Sequence, residues 1–202
     1  MDGPVVSWGK QRAERADAAR NRVRLLTAVR QMIEELGIDA VTMDALAERS
    51  GLGKGTVFRR FGSRAGIFRA LLDDGERDLQ EQVLSGPPPL GPGAEPLERL
   101  IAYGHARIRF LFDNHEVARA ALDGRQTAAP GLQSPVSQTH IRMLLTHLSP
   151  AADIEVMAVQ LTAALDGPLL LYVSIPHNTD ARTIEKRLVR SWEELVRRIF
   201  RD

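Results

Sequence analysis

The chain has 202 residues, of which 44% are hydrophobic, and a formal net charge of +1. That is enough apolar material for one good-sized core, or for a small module joined to a larger one. With no cysteine present, disulfides, thiolate metal sites and thiol nucleophiles are all excluded.

The N-terminal residues, with Asp2, Pro4 and several Arg and Lys, hold no apolar core of signal-peptide length, and no later run is long and charge-free enough to span a bilayer. A soluble, cytoplasmic protein is expected. The charge is uneven along the chain: through Arg64 there are 12 Lys and Arg against 8 Asp and Glu, or +4, and the remainder holds 15 against 18, or −3. A polyanion-binding module on an acidic body has this distribution, and so does any chain that begins with Arg-rich solvated helices.

Residues Met1–Asp17 read as a polar, irregular arm. From Ala18 to Leu36 the apolar positions Val23, Leu26, Val29, Ile33 and Leu36 recur at three and four, with Leu25 and Met32 widening the stripe, which predicts an amphipathic helix ended by Gly37. Thr42 is placed to cap a second helix over Met43–Ser50, with Asp44 at the positive end of its dipole, Leu46 inward and Ala47 small enough for a partner helix. Gly51 marks a sharp reversal, with Leu52 beneath it. A third helix is predicted from Lys54 to Phe61, burying Val57 and Phe61 and presenting Lys54, Thr56, Arg59 and Arg60. This is a helix-turn-helix pattern, in which the second helix of the pair enters the major groove. The residue types suit that role: Lys and Arg reach guanine acceptors or phosphates, Thr offers a hydroxyl or a methyl, and Gly55 lets the backbone come close.

Several separately spaced features carry a more specific resemblance. They are Gly37, the Thr42-Met43 pair, Ala47 to Gly51, and Phe58-Arg-Arg-Phe61-Gly-Ser-Arg64. From about Arg22 to Leu72 the chain resembles the DNA-binding domain of the TetR family of bacterial transcriptional repressors. The resemblance implies DNA contacts from Arg22, Thr42, Lys54, Gly55, Thr56, Phe58, Arg59, Arg60 and Arg64, with Thr42 and Arg64 on phosphates and with Arg20 and Arg22 the weaker candidates, for backbone contacts. Two positions depart from the family's pattern. Phe58 replaces a frequent Tyr and removes a phenolic phosphate contact, and Arg60 replaces a frequent His or Tyr, which implies a more salt-dependent contact.

Beyond Gly62-Ser63 a fourth helix is predicted, with Ile67, Phe68, Leu71, Leu72, Leu79 and Val83 on its apolar face. The run Ser85–Gly93 is a proline-rich loop. Further helices follow over Pro96–Asn114, His115–Asp123, Pro135–Leu148, Asp153–Ser174 and Thr179–Arg201, with a Gly- and Pro-containing loop over Arg125–Ser134. No stretch alternates at period two over a useful length, so the expected fold is all-α with about nine helices. The expected division is a helix-turn-helix DNA-binding domain over 1–64 and a helical ligand-binding and dimerisation domain over 65–202. The segments 153–174 and 179–201 are apolar on more than one face, and a second copy of the same pair is the simplest cover. The resemblance implies such a homodimer, which would set two recognition helices about 34–36 Å apart on a palindromic operator.

Chemical constellations are sparse. His140 and His147 share a helix face, but without a His-x-x-x-His pair or Cys they read as packing or surface residues, and no metal or cofactor is expected. Asp166 precedes Gly167-Pro168 inside an apolar helix and reads as a polar contact to an effector or partner subunit, as a satisfied structural carboxylate, or as the opening of a kinked helix. The run Gly51–Gly55 lacks both phosphate-loop spacing and a preceding strand. No catalytic arrangement is present, so an enzyme is not expected. The resemblance also implies an effector pocket, with candidate lining Leu100, Tyr103, Ile108, Phe112, Met143, His147, Leu161, Leu165 and Trp192, suited to a small apolar molecule. The reading is a ligand-responsive repressor. Its alternatives are an effector-independent or activating regulator of the same fold and, from another class, a helical-bundle enzyme or lipid carrier.

Overall fold

A computed structural model of the chain describes residues 8–122, 135–148, 153–174 and 180–200. Nine α-helices and one 3-10 turn are found among them, and no strand. The helices are α1 (Trp8–Leu36), α2 (Met43–Ser50), α3 (Lys54–Phe61), α4 (Arg64–Ser85), α5 (Pro96–Asp113), α6 (His115–Ala121), α7 (Pro135–Leu148), α8 (Ile154–Ser174) and α9 (Ala181–Ile199), with the 3-10 turn at Ile38–Ala40. The all-helical expectation holds. Two compact units divide within α4, as Met1–Ala70 and Leu71–Asp202.

Two expectations for the first helix are corrected. It begins at Trp8, ten residues before the predicted Ala18. The segment from Gln11 to Ala16 is made of Gln, Arg, Ala and Glu, whose high intrinsic propensity carries the helix on without an apolar stripe to announce it. The buried stripe is also turned about the axis from the predicted one. Leu25, Leu26, Val29 and Met32 are its core, whereas Val23 and Leu36 are 66% and 63% exposed. Gly37 ends α1 as expected, at φ 83°, with its N–H donating to the Ile33 carbonyl at 3.0 Å.

In the first unit α1 packs on α2, and α2 on α3, around Leu46, Ala47, Val57 and Phe61. Ile67 and Phe68 of α4 are fully buried. An exposed ion pair joins Arg49 of α2 to Glu35 of α1, and its hydrogen bond holds the Glu35 carboxyl below the ordinary range.

The second unit is built on two helix pairs, α5 with α9 and α7 with α8. Gly104 makes the first pair close: a Cβ there would stand 1.9 Å from Trp192 Nε1. The indole lies across the gap and its N–H donates to the Leu100 carbonyl at 3.3 Å. Gly104→Ala is therefore expected to push the indole off its acceptor and cost about 1–3 kcal/mol, the usual range for overpacking a tight core. A thermal unfolding curve compared with wild type checks this.

The buried polar centre of the second unit is an ion triad. Arg107 of α5, with no exposed surface, donates from Nε to Asp166 Oδ1 at 3.1 Å and from Nη1 to Glu76 of α4. The Asp166 carboxylate is thus satisfied within the fold by Arg107. Burial pushes its pKa up to about 6 despite the pull of Arg107, with Glu76 adding to the rise. Tyr103, beside this cluster, is pushed up to about 12, again chiefly by burial.

The loop after α4 begins at Gly86, one residue later than predicted, because Ser85 is the last residue of the helix. Several helix ends differ slightly from expectation, α5 among them, which stops at Asp113. α6 stops at Ala121, α8 starts at Ile154, and α9 spans Ala181–Ile199, where Asp180 Oδ2 accepts from the Thr183 N–H at 3.1 Å. The predicted loop Arg125–Ser134 and the predicted ends Thr179 and Arg201 lie outside the described residues. Among the described residues no helix is long and apolar enough to cross a membrane.

Candidate nucleic-acid interface and effector cleft

The interface is built from the turn upward. Thr42 sits in extended backbone and its Oγ1 accepts from the Ala45 N–H at 3.1 Å, satisfying one of the orphan donors at the start of α2. Gly51 closes α2 in the left-handed region at φ 65°, returning its N–H to Ala47 and Glu48. A side chain there would also press on Arg24 Nη2, 3.0 Å from where a Cβ would stand. The capped helix and its glycine turn thus set the direction in which α3 leaves. Thr42→Ala is expected to cost about 1 kcal/mol, as loss of an N-cap does, in urea unfolding of the whole chain.

α3 buries Val57 and Phe61 and exposes the rest. Lys54, Gly55, Phe58, Arg59 and Arg60 are all exposed and Thr56 is half-buried. Lys54 pairs with Asp44 at 2.9 Å, an exposed contact that exchanges readily for a phosphate. Arg59 Nη2 donates to Thr56 Oγ1 at 3.4 Å. Neither Arg59 nor Arg60 has an ion-pair partner among the described residues. A Cβ on Gly55 would meet nothing within 4 Å, and the same is true of Gly53. The fold therefore does not need glycine at position 55 for space.

Two predicted contact residues are committed elsewhere. Arg64 donates from Nε to the Val41 carbonyl at 2.7 Å and from Nη2 to the Ile38 carbonyl at 2.8 Å, with its guanidinium 4.9 Å over the Phe68 ring. It ties the 3-10 turn and the start of α2 to α4. Arg22 is half-buried and donates to the Ala70 carbonyl at 3.4 Å. Arg20 is exposed and paired with Asp17.

The predicted effector lining separates into two groups. Leu100, Tyr103, Ile108, Phe112, Leu161, Leu165 and Trp192 are buried, and Trp192 fills the α5–α9 contact. Met143 and His147 are exposed, and His147 Nδ1 donates to the Met143 carbonyl at 2.9 Å. An open cleft of about 710 Å³ lies among the end of α4, the following loop, α5, α7 and the start of α8. Of the predicted lining only Met143 reaches it. Leu84, Arg99, Val136, His140 and Ile154 are the other principal walls. His140 is buried, its ring edge-on to Tyr103 with centroids 5.0 Å apart, and burial, helped by Arg99, brings its pKa down to about 4. Among the described residues no group of His, Cys, Asp and Glu is arranged to hold a metal ion.

Comparison with known proteins gives these two regions a context. Residues 25–71 match the family model of the bacterial regulatory proteins, tetR family. No curated protein matches the sequence. Among solved structures, a TetR-family transcriptional regulator from Pectobacterium atrosepticum is 21% identical with a TM-score of 0.69, covering 93% of this chain and 98% of that one. A TetR-family regulator from a Rhodococcus species is 17% identical with a TM-score of 0.58, over 88% of this chain and 99% of that one. NalD of Pseudomonas aeruginosa, the secondary repressor of the MexAB-OprM multidrug efflux pump, is 16% identical with a TM-score of 0.50, over 89% and 96%. Residues 25–71 are thus similar to the bacterial regulatory proteins of the tetR family, and the chain as a whole shares its fold with solved TetR-family transcriptional regulators.

Proposed function

We propose that the chain is a homodimeric, ligand-responsive repressor that occupies a palindromic operator through α3. The observation that carries this reading is the outer face of α3, where bare Gly55, Lys54, Arg59 and Arg60 stand exposed on a helix whose buried side is fixed by Val57 and Phe61. Arg59 and Arg60 without ion-pair partners among the described residues, and Lys54 held only by an exposed pair with Asp44, beside a backbone that nothing shields, suit a groove lined by phosphates and base edges.

Self-association is supported by what α8 and α9 leave uncovered. Val156 and Val159 of α8 and Leu195 and Ile199 of α9 are all exposed, and a second copy of the same pair would cover them. Ligand response is supported by the cleft, whose volume falls within the range typical of small-molecule sites. The repressor sense takes its support from the likeness to NalD, which is itself a repressor.

A gel shift with the DNA flanking the chain's own gene tests the reading. A salt-sensitive, sequence-preferring complex of one dimer per site is expected. A protein that binds no such DNA at physiological ionic strength would contradict it.

A further inference from the structure

The cleft has apolar walls and an unbalanced positive charge. Leu84 is 68% exposed, Met143 43% and Val136 37%, so three of the larger exposed apolar side chains of the chain converge on this one concavity. Arg142 is also at the cleft, but Glu155 neutralises it at 3.0 Å. Arg99 is different. Its Nη2 donates to the Val83 carbonyl at 3.3 Å, its buried Nε has no hydrogen-bond partner, and no carboxylate pairs with it among the described residues. Beside it the Nε2 of buried His140 also lacks a partner.

We infer that this cleft takes an amphiphile bearing a single carboxylate, with its apolar body on Leu84, Val136, Met143 and Ile154 and its head on Arg99 and His140. A neutral molecule would leave the Arg99 charge uncompensated and give the two buried nitrogens a weaker acceptor than a carboxylate does. A cation would be repelled by Arg99. A phosphate dianion would face one guanidinium, an imidazole held neutral and the nearby Glu155 carboxylate, and a monoanion balances that set better. The inference deepens the ligand-responsive part of the reading above, yet the binding itself needs no DNA.

Isothermal titration of the full chain with decanoate, decanol and decyltrimethylammonium tests it. One decanoate per chain is expected, with decanol at least about tenfold weaker, since a charge-assisted contact contributes about 1.5–3 kcal/mol, and with no binding of the cation. Arg99→Met should weaken decanoate by about tenfold or more and leave decanol unchanged. Met143→Glu, on an exposed position, should weaken decanoate by repulsion without threatening the fold. Equal binding of decanoate and decanol, no binding of decanoate, or indifference of decanoate to both substitutions would overturn the inference. Gel shifts on the same preparations separate the two failures. Operator binding without decanoate binding overturns only the ligand assignment, and decanoate binding without operator binding overturns only the regulator reading.

Discussion

Arg107→Met is expected to cost about 3–5 kcal/mol of stability at neutral pH, the usual result of removing one partner from a buried ion cluster. Arg107 has no exposed surface, and Glu76 and Asp166 are both buried against it. Without the guanidinium two carboxylates face each other away from water, and no other cation pairs with either among the described residues. Methionine fills most of the volume and supplies none of the charge. The deficit should also depend on pH, with a defined sign. Asp166 already titrates near 6 in the folded chain, above its ordinary 3.8. A carboxyl whose folded pKa is raised stabilises fully below its unfolded value, and that contribution is lost as pH rises through the folded value. Loss of Arg107 raises the folded value further, so the variant's deficit should be largest at neutral pH and should shrink as pH falls from 7 towards 4. Urea unfolding across that range reads it directly. A loss of the same size at every pH would mean that packing, rather than charge, is what Arg107 contributes. The triple replacement Glu76→Leu, Arg107→Met and Asp166→Leu should recover most of the stability, because an apolar set of similar volume carries no desolvation cost.

Gly55→Leu is the second large effect, and it divides stability from function. A side chain at position 55 enters open space, so nothing in the fold is displaced. Leucine is a better helix former than glycine, so stability should be unchanged or raised by up to about 1 kcal/mol. The same side chain would hold α3 away from the groove. Losing one or two base or phosphate contacts at about 1–3 kcal/mol each weakens operator binding by about 10- to 100-fold or more. Paired thermal melts and fluorescence-anisotropy titrations measure both quantities. A variant that is more stable and binds as well as wild type would move the contact surface off this edge of α3.

Local signals in the sequence located the helix-turn-helix well. Thr42, Gly51 and the Gly62-Ser63 pair are punctuation whose physics is complete within a few residues, and α2, α3 and the start of α4 fall where they predict. The rotation of the α1 stripe was not legible, because Val23 and Leu25 are equally apolar and only the positions of α2 and its neighbours decide which of them is covered. The extension of α1 back to Trp8 was missed because propensity without periodicity leaves a weak trace.

The second unit was legible as helices and illegible as a site. The triad joins residues 31 and 59 positions apart, and the cleft gathers Leu84, Arg99, Val136 and Ile154 from four helices. Periodicity tells which face of a helix is apolar and says nothing about which helix lies opposite. Arg99 looked like any solvated arginine near a helix start, and His140 like a packing histidine. Trp192, offered as pocket lining, turned out to be matched to Gly104, a pairing that no local signal announces across the 92 residues between its acceptor and itself. Arg64 shows the same limit in the first unit: its place in the motif suggested a phosphate clamp, and its hydrogen bonds go to the Ile38 and Val41 carbonyls.

Operator binding by the double variant Arg59→Ala, Arg60→Ala tests the central claim most directly. Both side chains are exposed on α3 and neither has an ion-pair partner among the described residues, so the folded dimer should survive with its melting temperature unchanged. In a salt series of anisotropy titrations, affinity should fall by about 100-fold or more, and the slope of log K against log salt should flatten as the phosphate contacts of each subunit disappear. A double variant that binds the operator with wild-type affinity and wild-type salt dependence would contradict the placement of α3 in the groove.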